Sequence, residues 1–175
     1  RDLHSFPTRR SSDLVQHFMA QQKANRGFTI IEVVLVLAIA GLIFLMVFLA
    51  WPALQRSQRD TQRRSDVTRF VSQVNSYATN NKGSIPKTDT GSINSFLDSY
   101  MKRGNGEFKD PQTGNNYSVV TGVAQQGSAT TEKMVYATSA QCDGENIVAK
   151  SGSPRSFAVK VQLEGSGAFC KDNQN

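Results

Sequence analysis

From Phe28 to Trp51 the chain is apolar at every one of 24 positions except Thr29 and Glu32. At about 1.5 Å per residue, this run predicts a helix of roughly 36 Å, enough to cross a hydrocarbon core of about 30 Å. After Pro52 the uniform apolarity gives way to helical periodicity. Val67, Phe70, Val71, Val74 and Ala78 recur at helix spacing, with Tyr77 alongside. The pattern stops at Asn80-Asn81-Lys82-Gly83, where glycine is a natural terminator. A single helix from about Thr29 to Asn80 is therefore expected, its first half suited to lipid and its second to packing on a head domain. Gly41 and Pro52 lie inside it, one weakening the helix locally and the other removing a backbone hydrogen bond and kinking it.

Downstream, Ile93, Phe96, Leu97, Tyr100 and Met101 follow the i, i+3, i+4, i+7, i+8 rule. They predict a short amphipathic helix with Ser92 as N-cap and Gly104 just past its end, its aromatic stripe serving as core. Asp110-Pro111 and Gly114-Asn115 are turn chemistry. Three β-rich segments follow, Tyr117–Val123, Met134–Thr138 and Ser156–Leu163. The last places Phe157, Val159, Val161 and Leu163 on one face. The fold class expected is α+β: a long N-terminal helix packed on a small antiparallel meander.

A carboxylate inside an apolar span is unfavourable by about 2.5–3.5 kcal/mol at mid-bilayer and less near an end. Glu32, four residues after Phe28, therefore calls for a positive partner. Gly27-Phe28-Thr29-Ile30-Ile31-Glu32, preceded by Lys23 and Arg26 and followed by the apolar run, resembles the signal of type IV prepilins. That resemblance implies cleavage between Gly27 and Phe28 by a membrane-embedded prepilin peptidase, and N-methylation of Phe28. It also implies that Glu32 meets the Phe28 amine of a neighbouring subunit during assembly. The DPxTGxxY pattern from Asp110 to Tyr117 is similar to the turn that opens the sheet in many pilins and pseudopilins, and Gly83-Ser84-Ile85-Pro86 is suggestive of the same family. In such fibres the stretch between the glycine and the proline of the helix loosens when the fibre extends; Pro52 stands a few residues later than usual.

Three further features qualify this picture. His4 to Leu14 reads HSFPTRRSSDL, the translation of a widely used short-read sequencing adapter, so residues 1–14 are set aside and Met19 is the expected start. The leader, MAQQKANRG, lacks the apolar core of an ordinary secretory signal. Residues 1–27 hold five of the 20 basic and two of the 14 acidic groups, which leaves 15 and 12 beyond Gly27, a net of +3. Both histidines, His4 and His17, also precede Phe28. Without histidine the remainder has no Ser-His-Asp or Cys-His site and no imidazole metal ligand, and no acid pair or nucleophile cluster stands out, so no enzyme and no cofactor is expected. Asp143 and Glu145 beside Cys142 are a conceivable calcium pair, but two loop acids are ordinarily solvated.

Cys142 and Cys170 form a disulfide if the domain is extracytoplasmic, and two free thiols in a reducing host are the alternative. The bond is worth about 3.5 kcal/mol by loop-entropy reasoning. It also resembles the C-terminal disulfide that bounds an exposed loop in pilins. Arg56, Arg59, Arg63, Arg64 and Arg69 crowd after the span with only Asp60 and Asp66 among them. They run against the positive-inside rule for an outward-facing head, although long domains translocate largely regardless of charge. They are expected to be solvated, to pair with acids of neighbouring subunits, to contact anionic lipid or, with least support, to bind DNA.

The resulting organisation is 1–18 adapter-derived and upstream residues, 19–27 leader, 28–52 transmembrane and fibre-core helix, 53–82 amphipathic continuation, and 83–175 head. The resemblance implies a structural subunit of a type IV pilus serving adhesion, twitching motility or DNA uptake. Its partners would be further copies and other pilins, the peptidase, an assembly platform protein, an ATPase and membrane lipid. It would wait as a single-pass protein of the cytoplasmic membrane with its N-terminus inside, then move to the cell surface. The alternatives are a pseudopilin of a type II secretion system and an unprocessed single-pass membrane-anchored binding domain.

Overall fold

The structure, a computed structural model, describes residues 27–165 and 167–174. The adapter-like segment and the leader up to Arg26 lie outside the described residues. Contacts divide the chain into two units between Met46 and Val47.

Helix α1 runs from Ile30 to Asn80 and continues through Pro52. Its segment within the first unit buries no side chain, and every residue from Val33 to Val47 is apolar. In the second unit the same helix buries Arg63, Asp66, Val67, Phe70, Val71 and Val74. The helix stops where its sequence predicts, with Lys82 (φ 55°) and Gly83 both in the left-handed region. The Gly83 amide donates to the Ala78 carbonyl at 2.7 Å, which closes the end in a Schellman arrangement.

Helix α2 spans Thr90–Ser99, and its N-cap is Asp89 rather than Ser92. The Asp89 carboxylate accepts from the Ser92 amide at 2.8 Å, so the stronger capping residue lies three positions earlier than the apolar pattern suggested. Gly104 lies within a 3-10 turn, Arg103–Asn105.

Six strands follow: β1 (Ser118–Thr121), β2 (Lys133–Thr138), β3 (Ala140–Asp143), β4 (Asn146–Ala149), β5 (Phe157–Gln162) and β6 (Ala168–Asp172). Four form one sheet in the order β1-β2-β5-β6, and β3 and β4 form a separate hairpin. The expected antiparallel meander is thus corrected in one place. β1 pairs parallel with β2, whereas β2–β5 and β5–β6 are antiparallel. Parallel neighbours need a crossover of about a dozen residues, and residues 122–132, including the 3-10 segment Val123–Ser128, supply it.

The sheet is covered on both sides. Met134, Tyr136, Phe157, Val159 and Val161 face α1 and α2 in the main core, where Phe70 lies 5.3 Å from Phe96 and 5.7 Å from Tyr136 between ring centroids. Val135, Ala137 and Ala158 face the opposite way and pack with Ala140 and Ile147 of the hairpin. Double burial explains why β2 and β5 read as nearly continuous apolar runs rather than strict alternations. Cys142 of β3 and Cys170 of β6 are joined by a disulfide across 28 positions, with their Cα atoms 5.8 Å apart.

Candidate functional site

In the first unit the chemistry gathers at the start of α1. Thr29 is the residue before the helix, and its amide and hydroxyl both donate to Glu32 Oε2 at 3.0 Å. The Glu32 amide returns a bond to the Thr29 hydroxyl at 3.3 Å. This is a reciprocal capping box, which satisfies helix-terminal amides that have no partner of their own. The carboxylate predicted to await another subunit's amine is therefore first held by its own chain. It sits in an open apolar surface lined by Phe28, Val33, Val36 and Leu37. Among the described residues nothing lies within 4 Å of a Cβ placed on Gly27, and its backbone is outside the left-handed region. Neither crowding among the described residues nor backbone conformation requires glycine there.

In the second unit, polar groups cluster where α1 meets the head. Arg63 is fully buried. Its Nε donates to Asp110 Oδ1 at 2.7 Å, and its Nη1 donates to Asp60 Oδ1 at 3.0 Å and Glu164 Oε1 at 2.6 Å. Nη2 lies 2.6 Å from the same Asp110 oxygen but off the hydrogen-bonding line, so it contributes charge and no hydrogen bond. Arg59 grips Glu164 with both ends of its fork, at 2.8 and 2.6 Å. Asp60 in turn accepts the amides of Glu164 and Gly165 at 2.9 and 3.1 Å. The Arg59 hydrogen bonds, aided by those of Arg63, hold the Glu164 carboxyl down at about 2.

The turn from Asp110 to Tyr117 docks onto the same helix at both ends. Asp110 Oδ2 accepts the Gln112 and Thr113 amides at 3.0 Å, while its other oxygen takes Arg63. Tyr117 donates its hydroxyl to Asp66 Oδ2 at 3.2 Å. Burial pushes Asp66 up to about 6, against the lowering effect of that hydrogen bond, and burial likewise pushes the Tyr117 hydroxyl upward. The aspartate and tyrosine of the DPxTGxxY pattern thus meet helix residues three positions apart.

These contacts correct the expectation for the arginines. Arg59 and Arg63 bind the chain's own acids, and so does Arg69, which pairs with Glu107 at 2.8 Å. Arg64 lies over the Phe169 ring at 5.1 Å. Charge counting showed the excess of cations, but not that, Asp60 apart, their acids stand 38 to 105 positions away. Gly27, Phe28 and Glu32 belong to the first unit and the Cys142–Cys170 disulfide to the second. Among the described residues no group of three or more His, Cys, Asp or Glu side chains could hold a metal ion.

Residues 22–48 match the family model of the prokaryotic N-terminal methylation motif, the signal of type IV prepilins. The chain matches no curated protein and no solved structure.

Proposed function

We propose that this chain is the precursor of a type IV pilus subunit, cut between Gly27 and Phe28 and polymerised through its N-terminal helix. The observation that carries this reading is the methylation motif at residues 22–48, placed at the head of a helix long and apolar enough to span a membrane. Gly27 supports it as the residue of the matched motif that directly precedes the apolar run. Cleavage frees the Phe28 amine, which takes a methyl group. That cation and the Glu32 carboxylate of another copy are each poorly tolerated in lipid and stabilise one another when subunits stack in register. Glu32 exchanges its Thr29 bonds for that contact. Exposed Ile, Leu, Val and Phe side chains from Phe28 to Leu49 supply the cohesion of the fibre core. Before assembly they face lipid, with the protein anchored in the cytoplasmic membrane. An ATPase and a platform protein drive assembly, and the disulfide-bounded head faces outward.

The test is the N-terminal residue and intact mass after co-expression with a prepilin peptidase. A product that begins at Phe28 and is heavier by one methyl group is expected. A leader left intact while a control prepilin is cut would remove the case for polymerisation. Exchanging Gly27 for a bulky residue blocks cleavage. Glu32→Ala permits cleavage but impairs assembly, and normal fibres from that variant would sink the charge-pairing argument. Loss of surface fibres, rather than loss of secretion, on deletion of the chain separates a pilin from a pseudopilin.

A further inference from the structure

Of the five arginines after the span, Arg59, Arg63 and Arg69 are compensated by Glu164, Asp110 and Glu107. Arg56 and Arg64 have no ion pair among the described residues. The Arg64 guanidinium lies 5.1 Å from the centre of the Phe169 ring, and the residue is exposed. Arg56, Ser57, Thr61, Arg64 and Leu163 line one open groove of about 390 Å³. Asp60, the acid in that groove, is already occupied by Arg63 and by the amides of Glu164 and Gly165. The groove therefore carries two uncompensated guanidinium groups and no available carboxylate.

Its place on the helix narrows the occupant. Gln55 is the first polar residue after Glu32, and Arg56 lies five positions beyond Trp51. At about 1.5 Å per residue that is roughly 7.5 Å past the tryptophan, within the headgroup layer of about 5–8 Å on each side of the core. Trp51 and Leu54 are both more than half exposed, an apolar and aromatic surface suited to the bilayer boundary. Helical side chains lean toward the N-terminus, which turns Arg56 back toward that boundary. A guanidinium fork matches phosphate oxygens in geometry as well as charge.

We propose that the Arg56–Arg64 groove binds the phosphate of an anionic phospholipid headgroup, with Arg56 as the contact and Arg64 raising the local positive potential. This rests on the membrane-span part of the reading above and is independent of polymerisation.

Trp51 is the chain's one tryptophan and reports on the lipid beside it. The full chain is reconstituted in phosphatidylcholine vesicles that contain acyl-brominated phosphatidylglycerol or, at equal mole fraction, acyl-brominated phosphatidylcholine. Quenching of Trp51 gives the relative affinity of the two lipids. The expected preference for phosphatidylglycerol is about fivefold, corresponding to about 1 kcal/mol for an arginine near an anionic surface. Arg56→Gln removes most of it, Arg56→Lys keeps part of it, and Lys87→Gln leaves it unchanged. The thermal transition of the head stays unaltered in the Arg56 variants, which separates lipid binding from misfolding.

Equal quenching by both lipids in the wild type overturns the proposal, as does a preference that survives the Arg56→Gln/Arg64→Gln pair. Loss of the preference to excess inorganic phosphate at matched ionic strength assigns the groove to free phosphate and overturns the lipid source. A double variant that keeps its lipid preference but no longer forms fibres assigns the groove to a neighbouring copy instead. Absence of quenching by any brominated lipid is a different failure, since it removes the membrane span itself.

Discussion

Between Val33 and Leu54 no side chain of α1 is buried, whereas between Arg63 and Val74 buried positions recur every three or four residues. Both stretches belong to one helix and differ in where their partners come from. The first is apolar all round and, among the described residues, stays unburied, the pattern of a surface that lipid or another chain would cover. The second carries its own partners in the head: aromatic rings for Phe70, acids for Arg59 and Arg63, and a tyrosine hydroxyl for Asp66. A helix can thus present two surfaces in series, one completed by association and one by folding.

The largest expected break of that division is in the second stretch. Replacing Arg63 by methionine leaves Asp110 and Glu164 facing an apolar group. It should destabilise the head by about 3–5 kcal/mol, seen as a fall in Tm on the order of 10 °C or more in detergent-solubilised full chain. Reducing the Cys142–Cys170 disulfide should lower stability by about 2–4 kcal/mol, measured by denaturant titration with and without reductant.

The two shifted carboxyl groups act with opposite sign. Glu164 sits below its unfolded value, so its stabilisation is present above about pH 4.5 and is lost as the pH falls toward about 2. Asp66 sits above its unfolded value. Stability falls as the pH rises from about 3.8 through about 6, where the unfolded state releases the proton first. Asp66→Asn keeps an acceptor for Tyr117 and should raise stability at pH 7 by on the order of 2 kcal/mol. It should also flatten the Tm–pH curve between pH 4 and 6; an unchanged slope would argue that Asp66 is not the group responsible.

The smallest effect sharpens the comparison from the other side. Leu37→Ala in the first stretch should change head stability by less than about 0.5 kcal/mol, because Leu37 is exposed and belongs to the first unit. The same substitution should reduce fibre yield.

The sequence carried most of α1 openly, since a long apolar run and a clean 3.6-residue period are both local signals. Strands β3, β4 and β6 were not read from it. They are four or five residues long and part of their partnering is set by the sheet they cover. One local cue was present: Gly144, at φ 59°, opens the two-residue turn Gly144-Glu145 that joins Asp143 of β3 to Asn146 of β4. The parallel placement of β1 was not legible, because strand direction is decided by the crossover and not by the strand. At the candidate site, the glycine, the aromatic and the acid of the processing signal were legible as a contiguous string. The capping role of Glu32 was also available in Thr29-x-x-Glu32, a spacing that reads as a capping box. The arginine contacts were not, for composition supplies charges without saying which ones meet.

The separation between Arg59 and Glu164 has a temporal meaning. Ribosomes deliver a chain from its N-terminus, and Arg59 precedes its acid by 105 positions. Contacts between such distant residues close late, since the intervening loop must be ordered first. Arg63 has Asp60 three positions away and gains Asp110, and Arg69 gains Glu107, well before the chain is complete, whereas Arg59 stays bare until nearly the whole head has been made. Only when the loop around Glu164 and Gly165 arrives does Arg59 gain its acid, and only then are the contacts of Asp60 and Arg63 complete. The contact that fastens head to helix doubles as a completion check, one that a chain truncated before residue 164 cannot pass.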